Sequence, residues 1–136
     1  MKILVLTSGT GGGHNMRANS LKAWSETPVG RTANLDVSIH LALEKTHNLY
    51  RFGVGLYNFI QMRCPVVHHL YFNYLEKIPH FDRGRMIHNK QRFQEVVCRE
   101  EPDIVLSTHA HLNHGFFELA RESMPGRPPQ TVTCCG

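Results

Sequence analysis

The chain has 136 residues, 41% hydrophobic and 19% charged, with 11 Gly and 7 Pro. That is the balance of one globular domain with a real core, and it excludes disordered, collagen-like and low-complexity classes. A two-domain enzyme needs about twice this length. The formal charge of +4 favours anionic partners (phosphates, acidic lipid headgroups or nucleic acid) without setting one apart.

Residues 3–7 (ILVLT) are a continuous apolar run entering a glycine loop, the pattern of a central parallel strand rather than a signal peptide. Helix is expected from His14 to about Trp24, with Met16, Leu21 and Trp24 as its apolar positions and Asn15 or Ser8 helping to cap its start. Residues 25–33 read as a loop, and 35–39 (LDVSI) as a second strand.

A long helical pattern covers 41–63, with Leu49, Phe52, Leu56, Phe59 and Ile60 at helical spacing, and Pro65 ends it. Further helices are expected over 66–77, 82–101 and 112–123, with strands at 104–107 (IVLS) and 130–134. Strands alternating with helices predict an α/β fold, a Rossmann-like parallel sheet covered by helices. The chain stops directly after a strand, so its ending reads as cut rather than finished.

The four cysteines, Cys64, Cys98, Cys134 and Cys135, form no C-x-x-C pair, which suits free thiols in a reducing compartment. No stretch approaches the ~18 apolar residues of a membrane span. A cytoplasmic location, peripheral on a membrane surface, is expected.

The strongest local signal is a strand, then Ser8-Gly9-Thr10-Gly11-Gly12-Gly13-His14, then a helix. Glycines permit positive φ and let backbone N–H groups approach an anion at the helix start. Gly11, Gly12 and Gly13 are therefore candidates for contacting an acceptor or a phosphate. The NTPase loop is excluded because Gly-Lys-Ser/Thr is missing. The dinucleotide fingerprint is weakened because His14 stands where its third Gly belongs, although Asp36, near the end of the second strand, offers an acidic residue. A small nucleotide- or phosphate-binding module therefore stays open as an alternative.

His14 should face the crevice at the carboxyl ends of the strands, placed to act as a general base on a hydroxyl. The segment Ser107-Thr108-His109-Ala110-His111-Leu112-Asn113-His114 follows another strand and should share that crevice. Zinc takes His ligands, but no acidic residue or spaced Cys pair completes a site here. Substrate hydrogen bonding by His109 and His111, or helix capping, is expected instead, and no metal. Residues 49–81 hold most of the aromatics, interleaved with Arg51, Arg63 and Lys77. Such helices either lie on a lipid interface or pack on the sheet.

TSGTGGGHNMRANSLKAW resembles the opening of the monogalactosyldiacylglycerol synthase family and its processive bacterial diacylglycerol glucosyltransferase relatives. EEPDIVLSTHAH is similar to that family's Pro-Asp-Ile-Ile-Ile-Ser-x-His segment, and LYRFGVGLYNFIQMRCP with HHLYFNYLE to its long helical insertion. The glycine loop alone is also similar to the glycosyltransferase that makes lipid II. The resemblance covers essentially the whole chain. It implies the N-terminal half of a GT-B glycosyltransferase: a lipid-acceptor domain over 1–136, lying on the inner face of the membrane and binding diacylglycerol rather than nucleic acid.

The resemblance further implies that a second domain, absent here, binds the nucleotide sugar, a UDP-hexose, and that this half needs no cofactor. His14 matches the family's glycine-loop His, a proposed catalytic base. Cys134-Cys135 stands where the family has Thr-Asp. Such a half is expected not to turn over alone.

Overall fold

The computed structural model describes residues 1–10, 12–46, 48–64, 66–67, 69–70, 87 and 90–134. Among them the chain runs β1 (Lys2–Thr7), α1 (Gly13–Ser25), α2 (Pro28–Thr32), β2 (Asp36–Leu41), α3 (Ala42–Thr46), α4 (Asn48–Arg63), α5 (Lys90–Glu100), β3 (Ile104–Ser107), a 3-10 turn (Ala110–Leu112), α6 (Phe116–Ser123) and β4 (Gln130–Thr133). The strands form one sheet in the order β2-β1-β3-β4. All three pairings are parallel, so this is an α/β fold with a Rossmann-like sheet.

The apolar strands are buried because helices cover both faces. On one face Ile3, Val5 and Val37 meet Ala18 and Leu21 of α1. On the other, Leu4, Leu6 and Val105 meet Phe93 and Val97 of α5 and Phe116, Leu119 and Ala120 of α6. Phe93 is fully buried and meets Phe116 edge to face, at 4.9 Å and 86° between rings, a favoured aromatic geometry.

Several local expectations are corrected. Residues 28–32, expected as loop, form α2: Thr27 caps it by accepting from Gly30 N–H, and Pro28 occupies its first turn. Met16 and Trp24 are exposed rather than packed; Ala18 and Leu21 make the contact of α1 with the sheet. Neither Asn15 nor Ser8 caps α1, whose N-cap is Gly12 with no side-chain bond. Asn15 Oδ1 instead accepts from Thr7 Oγ1 at 3.0 Å.

The pattern over 41–63 is divided: β2 runs to Leu41, and α3 and α4 follow as separate helices. The predicted helix over 66–77 lies mostly outside the described residues. So do the first part of that over 82–101 and Tyr71, Phe72, Tyr74, Lys77 and Phe81.

Candidate functional site

Strand order decides where a crevice can form. β1 is followed in sequence by β2 on one side and bordered by β3 on the other, so the connections from β1 and β3 depart in opposite directions. Open α/β sheets bind ligands at this kind of switch point, beyond the carboxyl ends of the strands. Residue Leu6 of β1 is level with Ser107 of β3, which brings the two chain segments after them together.

After β1 the chain turns through the glycine loop into α1. Gly12, the N-cap, has φ 73, a conformation that Gly adopts at little cost. Gly13 begins the helix, and a methyl group there would meet nothing within 4 Å. No side chain caps α1, and the N–H groups of its first turn have no partner within the helix itself. Gly11 lies outside the described residues.

His14, half-buried on the first turn of α1, has Nδ1 2.6 Å from the carbonyl oxygen of Thr108. A carbonyl only accepts, so Nδ1 carries the proton and donates. In the neutral ring Nε2 is then the basic nitrogen. Thr108 is itself fixed, because its N–H and Oγ1 both donate to Leu6 O, at 3.0 and 3.3 Å. The imidazole of His14 is therefore aimed by a carbonyl anchored between the two central strands.

His109 lies beside it, with ring centroids 4.2 Å apart and planes tilted by 45°. Its backbone is closed on Ser107: the Ser107 hydroxyl donates to His109 O at 2.8 Å, and His109 N–H approaches Ser107 Oγ at 3.2 Å. His111 is carried on the 3-10 turn, and His114 is exposed beyond it. Cys134 N–H donates to Ser107 O at 2.8 Å, so the exposed thiol of Cys134 sits at the carboxyl end of β4. Cys135 lies outside the described residues. Among the described residues no group of three or more His, Cys, Asp or Glu gathers as metal ligands would.

Asp36 does not reach this crevice. It opens β2 level with Lys2, at the amino end of the sheet and five residue steps from Leu41, or about 16 Å along a strand. The acidic residue at the carboxyl end is Glu44, on α3, which follows β2 without a loop. Glu44 Oε1 accepts from Gly9 N–H at 2.5 Å and from Ser8 Oγ at 3.4 Å. Its other oxygen, Oε2, is buried with no hydrogen-bond partner. Asn58 of α4 holds the same loop from its other side, donating to Gly9 O at 2.9 Å. Sequence reading missed Glu44 because a single Glu in ALEKT carries no pattern.

This carboxylate changes what the glycine loop prefers. An anion docking on the Gly9 amide would face a unit negative charge at close range. At 4 Å and an effective dielectric of 20 that repulsion is about 4 kcal/mol per charge. The loop near Gly9 is thus better suited to a neutral hydrogen-bond donor than to phosphate.

The helical stretch after the site presents an apolar side to solvent. Phe52, Leu56, Phe59 and Met62 of α4 are exposed, and so are Val66, Val67 and Leu70 beyond it. The spacing of Phe52, Leu56, Phe59 and Met62, three or four residues, makes one stripe on α4. Of the two expectations for these aromatics, packing on the sheet is not what Phe52 and Phe59 do. Among the described residues no helix is long and apolar enough to cross a membrane.

No family model, curated protein or solved structure matches the chain.

Proposed function

We propose that this chain is the acceptor-binding domain of a glycolipid-synthesising glycosyltransferase, presenting a diacylglycerol hydroxyl to a hexose carried by a nucleotide sugar on a second domain. The observation that carries the reading is His14, its Nδ1 committed to Thr108 O and its Nε2 left as a base at the sheet's switch point. In the proposed reaction Nε2 takes the acceptor hydroxyl's proton as its oxygen attacks the sugar's anomeric carbon. The nucleotide diphosphate leaves with the bonding electrons, and configuration inverts. His109, at 4.2 Å, orients the acceptor. The amides of Gly12, the N-cap, and Gly13, the first helical residue, offer donors to its polar headgroup.

Two further observations support the lipid acceptor over a dinucleotide. Asp36 stands at the wrong end of its strand for a ribose, and Glu44 already occupies the Gly9 amide. The exposed stripe from Phe52 to Met62, flanked by the exposed Arg51 and Arg63, fits a helix lying on an anionic bilayer.

The test is sedimentation of the chain with anionic vesicles, with and without diacylglycerol. Weak binding that diacylglycerol strengthens and salt reduces is the expected result, because the charge is modest and its attraction is screened. Absence of vesicle binding at any salt, with saturable binding of a free dinucleotide, would overturn the reading in favour of a nucleotide-binding module.

A further inference from the structure

Glu44 is a polar group that the proposed transfer does not use. One of its oxygens is held by the loop and the other has no hydrogen-bond partner. Native proteins rarely leave a buried acceptor unpaired, and a donor from a water or a ligand is among the ways such a group is completed. An ionised carboxylate only accepts, so what completes it must be a donor. The terminal torsion of Glu is broad and roughly two-fold, so a small turn offers Oε2 to a donor without breaking backbone structure. The loop is built around this carboxylate. A side chain at Gly9 would place its Cβ 2.9 Å from Glu44 Oε1, with Val54 at 3.6 Å and Asn15 Nδ2 at 3.9 Å.

We propose that Glu44 and the Gly9 amide form a hydroxyl-binding subsite, in which Glu44 Oε2 accepts a hydrogen bond from a neutral, glycerol-type hydroxyl and discriminates against phosphate. The inference rests on the reading that an uncharged hydroxyl ligand enters this crevice. It adds the group that recognises that hydroxyl, on the β2 side, while His14 serves from the helix side. The carboxylate selects by charge: a hydroxyl supplies the missing donor, whereas a phosphate dianion brings only further acceptors and negative charge.

Two variants perturb the subsite independently. Glu44→Gln keeps the shape and one oxygen but removes the charge. Gly9→Ala keeps the charge but pushes the carboxylate aside, and the backbone at Gly9 accepts Ala because its φ is not positive. The probes are dihexanoylglycerol, which has one free hydroxyl; trihexanoylglycerol, which has none; and inorganic phosphate. The readout is the amide NMR spectrum of the whole chain, whose dispersion also reports that each variant is folded.

Dihexanoylglycerol is expected to shift the Gly9 amide saturably, with trihexanoylglycerol and phosphate leaving it in place. Both variants should weaken that binding by roughly tenfold to a hundredfold, the worth of a hydrogen bond to a charged group. Should dihexanoylglycerol shift the His14 and His109 amides while folded Glu44→Gln and Gly9→Ala bind it as tightly as wild type, the subsite is overturned and the acceptor reading stands. Equal binding of trihexanoylglycerol, or a saturable Gly9 shift with phosphate, also overturns the subsite. If the wild-type chain binds no dihexanoylglycerol at all, both fall together.

Discussion

The imidazoles of His14 and His109 lie 4.2 Å apart between ring centres, although one follows β1 and the other follows β3. Their meeting comes from the direct pairing of those two strands, with Leu6 level with Ser107, and from the anchor of His14 Nδ1 on Thr108 O. The first prediction concerns the tautomer. Long-range nitrogen NMR of the neutral chain should find the proton of His14 on Nδ1 and the lone pair on Nε2. In a complete enzyme built on this domain, His14→Ala should lower kcat by ~100- to 10,000-fold, the usual worth of a general base. Donor binding should be unchanged. A proton found on Nε2, or a variant that keeps most of its turnover, would leave His14 as a packing residue.

The glycines of the loop are not equivalent. Gly12 has φ 73 and ψ −32, so Gly12→Ala should cost about 1–3 kcal/mol, the usual penalty for a side chain held in a sparsely populated backbone region. At Gly13, the first helical residue, a methyl meets nothing within 4 Å. There Ala should be neutral or stabilise by about 0.5–1 kcal/mol, since Ala is the better helix former. Denaturant melts of the two variants check the contrast. Equal effects would mean that the loop's backbone is not held in this conformation.

The strands were legible because a strand buried on both faces needs an unbroken apolar run, and ILVL and IVL supply it. The His14–His109 meeting was legible for a related reason: both segments follow carboxyl ends of parallel strands, and only the strand order had to be added. What stayed hidden depended on tertiary contacts. Glu44 matters only because Gly9 N–H lies 2.5 Å away across the turn. Asp36 stands second in the expected strand 35–39 and first in β2, so its place at the amino end follows from strand direction alone; only the run on to Leu41, through the polar His40, was hidden. The helix at 28–32 had its signal in Thr27-Pro28, a cap followed by a first-turn proline, but its five residues carry too little periodicity to read.

The stripe on α4 makes a separable prediction. Phe59 and Met62 are 61% and 81% exposed, so Phe59→Asp and Met62→Asp should change stability by no more than about 0.5 kcal/mol. Each side chain inserted at a lipid interface contributes about 1.5–3 kcal/mol if fully buried there. Either change should therefore reduce vesicle binding roughly tenfold or more, while Arg63→Gln should mainly lower the salt dependence. Vesicle binding unchanged by both Asp variants would remove α4 from the membrane contact.

The last prediction concerns acid stability and turns on the face of β2 that packs against α5. His40 of β2 is 7% exposed, packed 6.0 Å from the ring of Phe93. It borders a cleft of about 250 Å³ lined also by Lys45, Arg92, Glu95, Val96 and Arg99. Burial, then the charges of Lys45 and Arg99, lower its pKa from 6.5 to about 4, with Glu100 acting in the opposite direction. The folded protein therefore keeps His40 neutral where the unfolded chain would protonate it. As pH falls from about 6.5 to about 4, protons bind the unfolded state preferentially and stability drops. Below about 4 both states are protonated and the loss levels off. At 1.36 kcal/mol per pKa unit the full loss is about 3 kcal/mol. His40→Leu should flatten this part of the stability-versus-pH curve while leaving the crevice residues in place. The measurement is urea unfolding at a series of pH values from 7 to 4 for both proteins. If the two curves fall in parallel over that range, another group carries the acid sensitivity and His40 is not held neutral by its burial.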